Sequence, residues 1–148
     1  MTKSKPTAKT GVKKISTNRH VRTRRDHATE LAEDYVEAID ELLQAQEICR
    51  VTDLAARFAV SHVTVNRTVA RLKRDGWVTT QPYGPVELTE AGRMLARASR
   101  QRHEIVLRFL ITLGIREQTA NIDAEGIEHH VSEETLRAMQ RFVEKPGK

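Results

Sequence analysis

The apolar positions of this chain fall into blocks with a helical repeat, broken once by a short stretch of different character. From about Thr29, residues Leu31, Tyr35, Ile39, Leu42 and Leu43 keep the spacing of one buried stripe and predict a first helix. After Val51-Thr52-Asp53, the segment Leu54 to Phe58 predicts a second, short helix. Ala59-Val60-Ser61 reads as a turn, with Ser61 an N-cap for a third helix that runs to about Arg74 on the stripe Val65, Val69, Leu72. Asp75-Gly76 stops it, glycine supplying the left-handed residue past the helix end. The period then changes. Trp77 to Thr80 and Val86 to Thr89 read as two short strands around the turn residues Gln81, Pro82, Tyr83, Gly84 and Pro85. Three helices followed by a hairpin are the plan of a winged helix-turn-helix.

A long helix is predicted next, from about Glu90 to Leu113, ended by Gly114. Its later apolar residues, Val106, Leu107, Phe109, Leu110, Ile111 and Leu113, are too widely distributed for one stripe. A helix apolar on most sides is buried on most sides, here against a second copy of the chain. Two shorter helices follow, about Arg116 to Val131 and Glu133 to Val143, with Ser132 capping the second. The expected fold class is therefore mostly α: a winged helix-turn-helix over residues 26–90 and an all-helical half over residues 91–148. Residues 1–25 show no apolar period and read as a disordered basic arm, either a solubilising tail or a phosphate-contacting segment.

Composition narrows the class. With 4% aromatic residues among 39% apolar ones, the core must be built of Leu, Val, Ile and Ala. No run of apolar residues is long enough to span a membrane, and the basic N-terminus lacks the apolar segment of a secretory signal. Cys49, the single cysteine, cannot form an intrachain disulfide and reads as a small packing residue. Together these predict a cytoplasmic protein.

Charge carries more information. The net +5 hides nine Lys/Arg and no acid in residues 1–25, five basic side chains and no acid in residues 57–74, and six acids and no Lys or Arg in residues 117–134. The pattern suggests polyanion binding at the basic segment and cation binding at the acidic one. On the polar face of the third helix, Ser61, His62, Thr64, Asn66, Arg67, Thr68 and Arg71 are the candidate DNA-contacting residues. Side chains near the start of a recognition helix reach base edges, and Arg and Asn are favoured readers of guanine and adenine. A winged helix serving only protein interaction is the competing reading; the acid-free run favours DNA.

Residues three or four apart share a helix face. Asp34 and Glu37 therefore converge, as do Glu125, Glu128 and His129, whereas His130 should point elsewhere; His103 stands alone on the long helix. Each group taken singly is ordinary surface polarity. Together they concentrate acids without neutralising cations, which is costly unless a cation binds or water screens them.

At this point the residues carry a family resemblance. Glu33-Asp34-Tyr35-Val36-Glu37, the helix-turn-helix, the Arg102-His103-Glu104 step and the run Asp123-Ala124-Glu125-Gly126-Ile127-Glu128-His129-His130-Val131-Ser132 together resemble the manganese transport regulators of the diphtheria-toxin-repressor superfamily. The resemblance covers about residues 26–144. It implies a metal-binding dimerisation domain in the C-terminal half and two metal ions per subunit. By motif match, the ligands would be Asp34, Glu37, His103, Glu125, Glu128 and His129. It further implies a homodimer that reads a palindromic double-stranded operator and represses metal uptake. Iron-sensing relatives place Met and Cys where this chain has Asp34 and Glu125. A cage of carboxylates and imidazoles without sulfur suits Mn2+, with Fe2+ the alternative.

Two other functions compete. A Glu/His metallohydrolase leaves the helix-turn-helix unexplained and shows no nucleophile or oxyanion-hole element, so no enzyme is expected. A winged-helix regulator of an organic ligand needs a pocket that this chain has few aromatic residues to line.

Overall fold

One helix, α1 (Gly11–Gln46), reaches across both halves of the molecule and organises them. The computed structural model describes residues 11–145, with residues 11–20 and 22 described through their backbone alone. After α1 come α2 (Val51–Phe58), α3 (His62–Arg74), β1 (Val78–Thr80), β2 (Val86–Leu88), α4 (Glu90–Thr112), α5 (Glu117–Ile127), a one-turn 3-10 helix (Glu128–His130) and α6 (Glu133–Glu144). No helix among the described residues is long and apolar enough to cross a membrane.

The expected elements are present, with two differences. Residues 11–25, read from sequence as the end of a disordered arm, are helical; residues 1–10 lie outside the described residues. Sequence periodicity detects a helix through the face it buries. From Val21 to Thr29 every side chain that is described is exposed, so no stripe marks this stretch. Helix propagates cheaply from a turn already formed, and the packed part of α1 provides that turn. The second difference is that α5 does not run to Val131. It gives way at Glu128 to the 3-10 turn.

The reader half closes around Tyr35, Val36, Ile39, Leu54, Val65, Val69, Leu72, Val78, Val86 and Leu88, all buried. Tyr35 stacks on Phe58 at 4.3 Å, fixing α1 against α2. Val60 is partly exposed in the turn before α3, where Ala59 takes a left-handed conformation. Cys49 is fully buried and its thiol is pushed up to about 12, first by burial, so it packs and does not react. Its carbonyl accepts a 2.8 Å hydrogen bond from Val86 N, tying the α1–α2 loop to β2.

The hairpin pairs Val78 with Leu88 and Thr80 with Val86, antiparallel. Gly76, at φ +85, reverses the chain after α3 so that Trp77 N reaches Leu72 O at 2.9 Å. The wing joins α4 through a tight contact: Thr89 caps α4 by accepting from Gly92 N (3.0 Å), and its hydroxyl reaches Gly76 O at 2.7 Å. A Cβ at Gly92 would lie 2.1 Å from Trp77 O, so only glycine fits there. A second cluster, Val106, Leu110, Ala120, Ala124 and Leu136, joins α4, α5 and α6.

Candidate functional site

Asp34 and Glu37 leave α1 from the same turn that buries Tyr35 and Val36. The apolar residues point into the reader core and the two carboxylates point away from it. What they face is α4 and the end of α5. All six residues read as metal ligands, Asp34, Glu37, His103, Glu125, Glu128 and His129, line one cleft of about 540 Å3. Glu30, Glu41, Arg57 and Arg100 complete its polar wall.

Within the cleft the candidate ligands lie against one another. His103 Nδ1 is 2.5 Å from Glu128 Oε2. His129 turns Nε2 toward Asp34 Oδ1 at 3.3 Å and Glu128 Oε1 at 3.6 Å. Glu37 Oε2 accepts from Ser99 Oγ at 3.2 Å. Glu125 is exposed. Among the described residues no three His, Cys, Asp or Glu side chains are drawn together closely enough to hold a metal ion as they stand. The donors share a cleft, and four of them, Asp34, His103, Glu128 and His129, lie against one another.

That pairing has an electrostatic cost. Burial pushes the Glu37 and Glu128 carboxyls above the usual carboxylate range; for Glu128, neighbouring His103 and His129 offset only part of the effect. His129 is pushed up to about 10 by its hydrogen bonds to Asp34 and then Glu33, burial opposing. The Asp34 and Glu33 carboxylates favour its protonated form, so this part of the cleft stabilises positive charge. Four carboxylates and two imidazoles are a donor set for a hard to borderline divalent ion.

Several residues of this site have no role in the sequence reading. Glu33 is buried, paired to Arg102, and accepts from His129 Nδ1 at 2.8 Å. Arg100 Nη2 donates to Asp40 Oδ2 at 2.8 Å, bridging α4 to α1, and Arg57 pairs with Glu41, bridging α2 to α1. Glu33 and Arg102 each stand beside a recognised motif residue, so adjacency was the available signal; Ser99 had none. His130 points out of the cleft and lies 3.9 Å from Glu30.

The second functional surface is on α3. Ser61 accepts from Thr64 N at 3.2 Å, capping the helix. His62, Thr64, Asn66 and Arg67 are exposed and Arg71 is half-buried. Thr68 is the exception: it is buried, and its hydroxyl donates back to Thr64 O at 3.1 Å, which removes it from the reading face. At i+3 from Val65 it lies on the buried stripe, so its spacing marked it as inward-facing and only its polar side chain suggested otherwise. His62 and Asn66 line a broad groove of about 650 Å3 between α3 and the wing, together with Arg50, Lys73 and Tyr83. Tyr83, at φ +59, stands fully exposed at the wing tip.

Both halves of the chain match known protein domains. Residues 27–86 match the iron-dependent repressor N-terminal DNA-binding domain, and residues 89–148 match the iron-dependent repressor metal-binding and dimerisation domain. The transcriptional regulator MntR of Escherichia coli O6:H1 is 43% identical over 146 residues, 96% of this chain and 94% of that protein. The HTH-type transcriptional regulator MntR of Bacillus subtilis strain 168 is 35% identical over 68% of this chain and 71% of its own. Among solved structures, a manganese-dependent transcriptional repressor in complex with manganese superposes with a TM-score of 0.64 at 31% identity, over 76% of this chain and 52% of that one. The manganese regulator SloR gives 0.67 at 27% identity, over 78% and 54%. This chain thus spans about half the length of those two solved relatives. With a DNA-binding domain and a metal-binding and dimerisation domain matched in sequence, the chain belongs to the iron-dependent repressor family, the diphtheria-toxin-repressor superfamily, in its branch of MntR regulators.

Proposed function

We propose that this protein is a manganese-responsive transcriptional repressor of metal-uptake genes, and that Asp34, Glu37, His103, Glu125, Glu128 and His129 hold its metal, two Mn2+ ions per subunit. The observation that carries the reading is the cleft itself. Six donors from three separate segments of the chain line one cavity, two of them on the helix that carries the reader core and four on the helical half. The absence of sulfur from the donor set favours Mn2+ over softer ions, with Fe2+ the nearest competitor. The name of the MntR relatives and the manganese in a structural relative point the same way.

Bound metal supplies positive charge that the buried carboxylates lack. This chain's residues do the rest. Glu37 and Glu128, raised by burial, would be stabilised as carboxylates by such an ion, and His129 would have to release its Nε2 proton to ligate it. Asp34 and Glu37 then become fixed relative to His103, Glu128 and His129, and so does α1 relative to α4. In a homodimer joined through the helical half, residues 91–148, that orientation sets the distance between the two α3 helices. A palindromic operator presents its half-sites about 34 Å apart, one turn of DNA. With an ion held by these residues, the two α3 helices would favour the spacing that matches, and operator DNA would tighten metal binding by the same factor.

The α3 face offers His62, Thr64, Asn66, Arg67 and Arg71 for the major groove, and the wing lies along the backbone. A regulator of this kind acts in the cytoplasm on DNA and is not an enzyme. The experiment is a mobility-shift titration of operator DNA with Mn2+ and then with chelator. Loss of the complex on chelation and its return with Mn2+ support the reading; operator affinity indifferent to chelation overturns it.

A further inference from the structure

Behind His129 stands a carboxylate that does not itself line the cleft. Glu33 is 4% exposed. Its Oε2 accepts from His129 Nδ1 at 2.8 Å, and its Oε1 accepts from Arg102 Nη2. We propose that Glu33, held by Arg102, is the positioning residue of the metal site. It retains the proton on His129 Nδ1 and so presents the Nε2 lone pair to the ion. The inference deepens the proposed metal cleft and rests on it.

Three observations converge. First, the two ring nitrogens of His129 face different environments: Nδ1 meets Glu33 alone, while Nε2 looks toward Asp34 and Glu128, the other candidate ligands. A ligating histidine commonly donates its second N–H to a carboxylate, which fixes both tautomer and ring orientation. Second, His129 sits on a one-turn 3-10 helix with no side-chain cap at its start. The ring, 5% exposed, is held by contacts from Glu33 and Asp34 of α1. Third, Arg102 is held beside Glu33 although its Nε is buried without a hydrogen-bond partner among the described residues. A buried unsatisfied donor is unfavourable, so the guanidinium is kept there by its ion pair with Glu33. The order Arg102–Glu33–His129 then runs from α4 to α1 to the end of α5. Glu33 therefore orients the ligand and also joins the two halves that metal is proposed to lock.

The test compares wild type, Glu33→Gln, Glu33→Ala and a charge control, Glu104→Gln, which removes an exposed carboxylate on α4 outside the cleft. Mn2+ affinity is measured by calorimetry. The ring nitrogens of His129 are followed by nitrogen-15 NMR with Cd2+ as a diamagnetic stand-in. Loss of an outer carboxylate of this kind weakens metal binding about 10- to 100-fold. The expectation is a loss near the upper end for Glu33→Ala. The smaller loss falls to Glu33→Gln, whose amide oxygen still accepts from Nδ1, and Glu104→Gln stays within twofold. In wild type Nδ1 stays protonated and Nε2 couples to Cd2+; in Glu33→Ala that assignment is lost. If Glu33→Ala does not fold, Glu33→Gln carries the decision. Folded Glu33 variants with wild-type affinity and an unchanged ring assignment overturn the inference alone. Equal losses in Glu33→Gln and Glu104→Gln also overturn it, because net charge then explains both. Wild-type protein that takes up no Mn2+ overturns the metal cleft and this inference with it.

Discussion

The two halves of the chain are finished to different degrees. The reader half encloses a large core, from Tyr35 and Ile39 through Leu54, Val65 and Leu72 to Val86 and Leu88, and its hairpin is stitched to the rest by backbone hydrogen bonds. The helical half has a small buried cluster and leaves Ile111, Leu113, Ile122, Ile127 and Phe142 exposed. Its polar interior is also unfinished, since the cleft holds buried carboxylates that lean on imidazoles. The difference teaches where the regulation resides. A reader that folds around its own core needs nothing further to keep its shape. A helical half with an exposed apolar face and a cleft lined by carboxylates and imidazoles offers surfaces for a second subunit and for a divalent cation, and occupancy of both depends on concentration.

The largest expected effect breaks the unfinished half alone. Glu128→Ala removes a buried carboxylate that touches His103 and faces His129. Mn2+ affinity measured by calorimetry should fall by roughly 100-fold or more, beyond the loss of an outer-sphere partner. The far-ultraviolet circular dichroism of the metal-free protein should stay unchanged. Unaltered Mn2+ affinity would remove Glu128 from the ligand set. Next in size is the apolar cover. Leu113→Glu combined with Ile122→Glu places charge on the exposed apolar face, where an interface would have to bury it at a cost of several kcal/mol, on the order of the penalties for unpaired buried charge. Sedimentation should show monomers, with the reader's fold intact; dimers of undiminished stability would place the interface elsewhere.

The reader is broken by packing instead. Gly92→Ala drives a methyl group into the Trp77 carbonyl at the wing–α4 junction. A loss of about 1–3 kcal/mol of stability is expected in urea unfolding, the range of overpacked sites. Mn2+ affinity should change little. An equal loss in both quantities would mean that the two halves unfold as one unit.

A graded effect separates metal binding from folding by sign. His129 is held up to about 10 in the metal-free protein by Asp34 and Glu33. Its folded pKa exceeds the ordinary histidine value, so its contribution to metal-free stability is complete below about 6.5 and is lost as pH rises through about 10. Metal affinity runs the other way, because the ion must displace the Nε2 proton. Across pH 6 to 9, Mn2+ affinity should rise by up to about tenfold per unit, or 1.4 kcal/mol. Calorimetry in buffers of different ionisation enthalpy reads the released proton; no buffer dependence would show that His129 gives up no proton to the metal.

Much of this architecture was legible before any coordinates. The stripes at Tyr35–Ile39 and Val65–Leu72, the Ser61 and Ser132 caps and the hairpin turn all rest on local periodicity and turn chemistry, which a linear chain displays directly. The broad apolar content of α4 also announced a surface in need of a partner. The misreadings have two origins. Thr68 is polar and follows Arg67, yet it faces inward between Val65 and Val69. Residues 11–25 bury no described face, so no stripe betrays their helix.

The amino-acid sequence by itself determined the order of the elements and the chemical types on their faces, because hydrogen-bonding period and side-chain polarity are local properties. It also brought together, by motif, the six residues that line the cleft. Only the tertiary structure decided how they meet: that His129 turns Nε2 inward and Nδ1 to Glu33, that Arg102 reaches that same carboxylate, and that burial lifts Glu37 and Glu128. Those facts depend on residues up to 96 positions apart being packed into one low-dielectric space. Distance and desolvation exist only after the chain has folded.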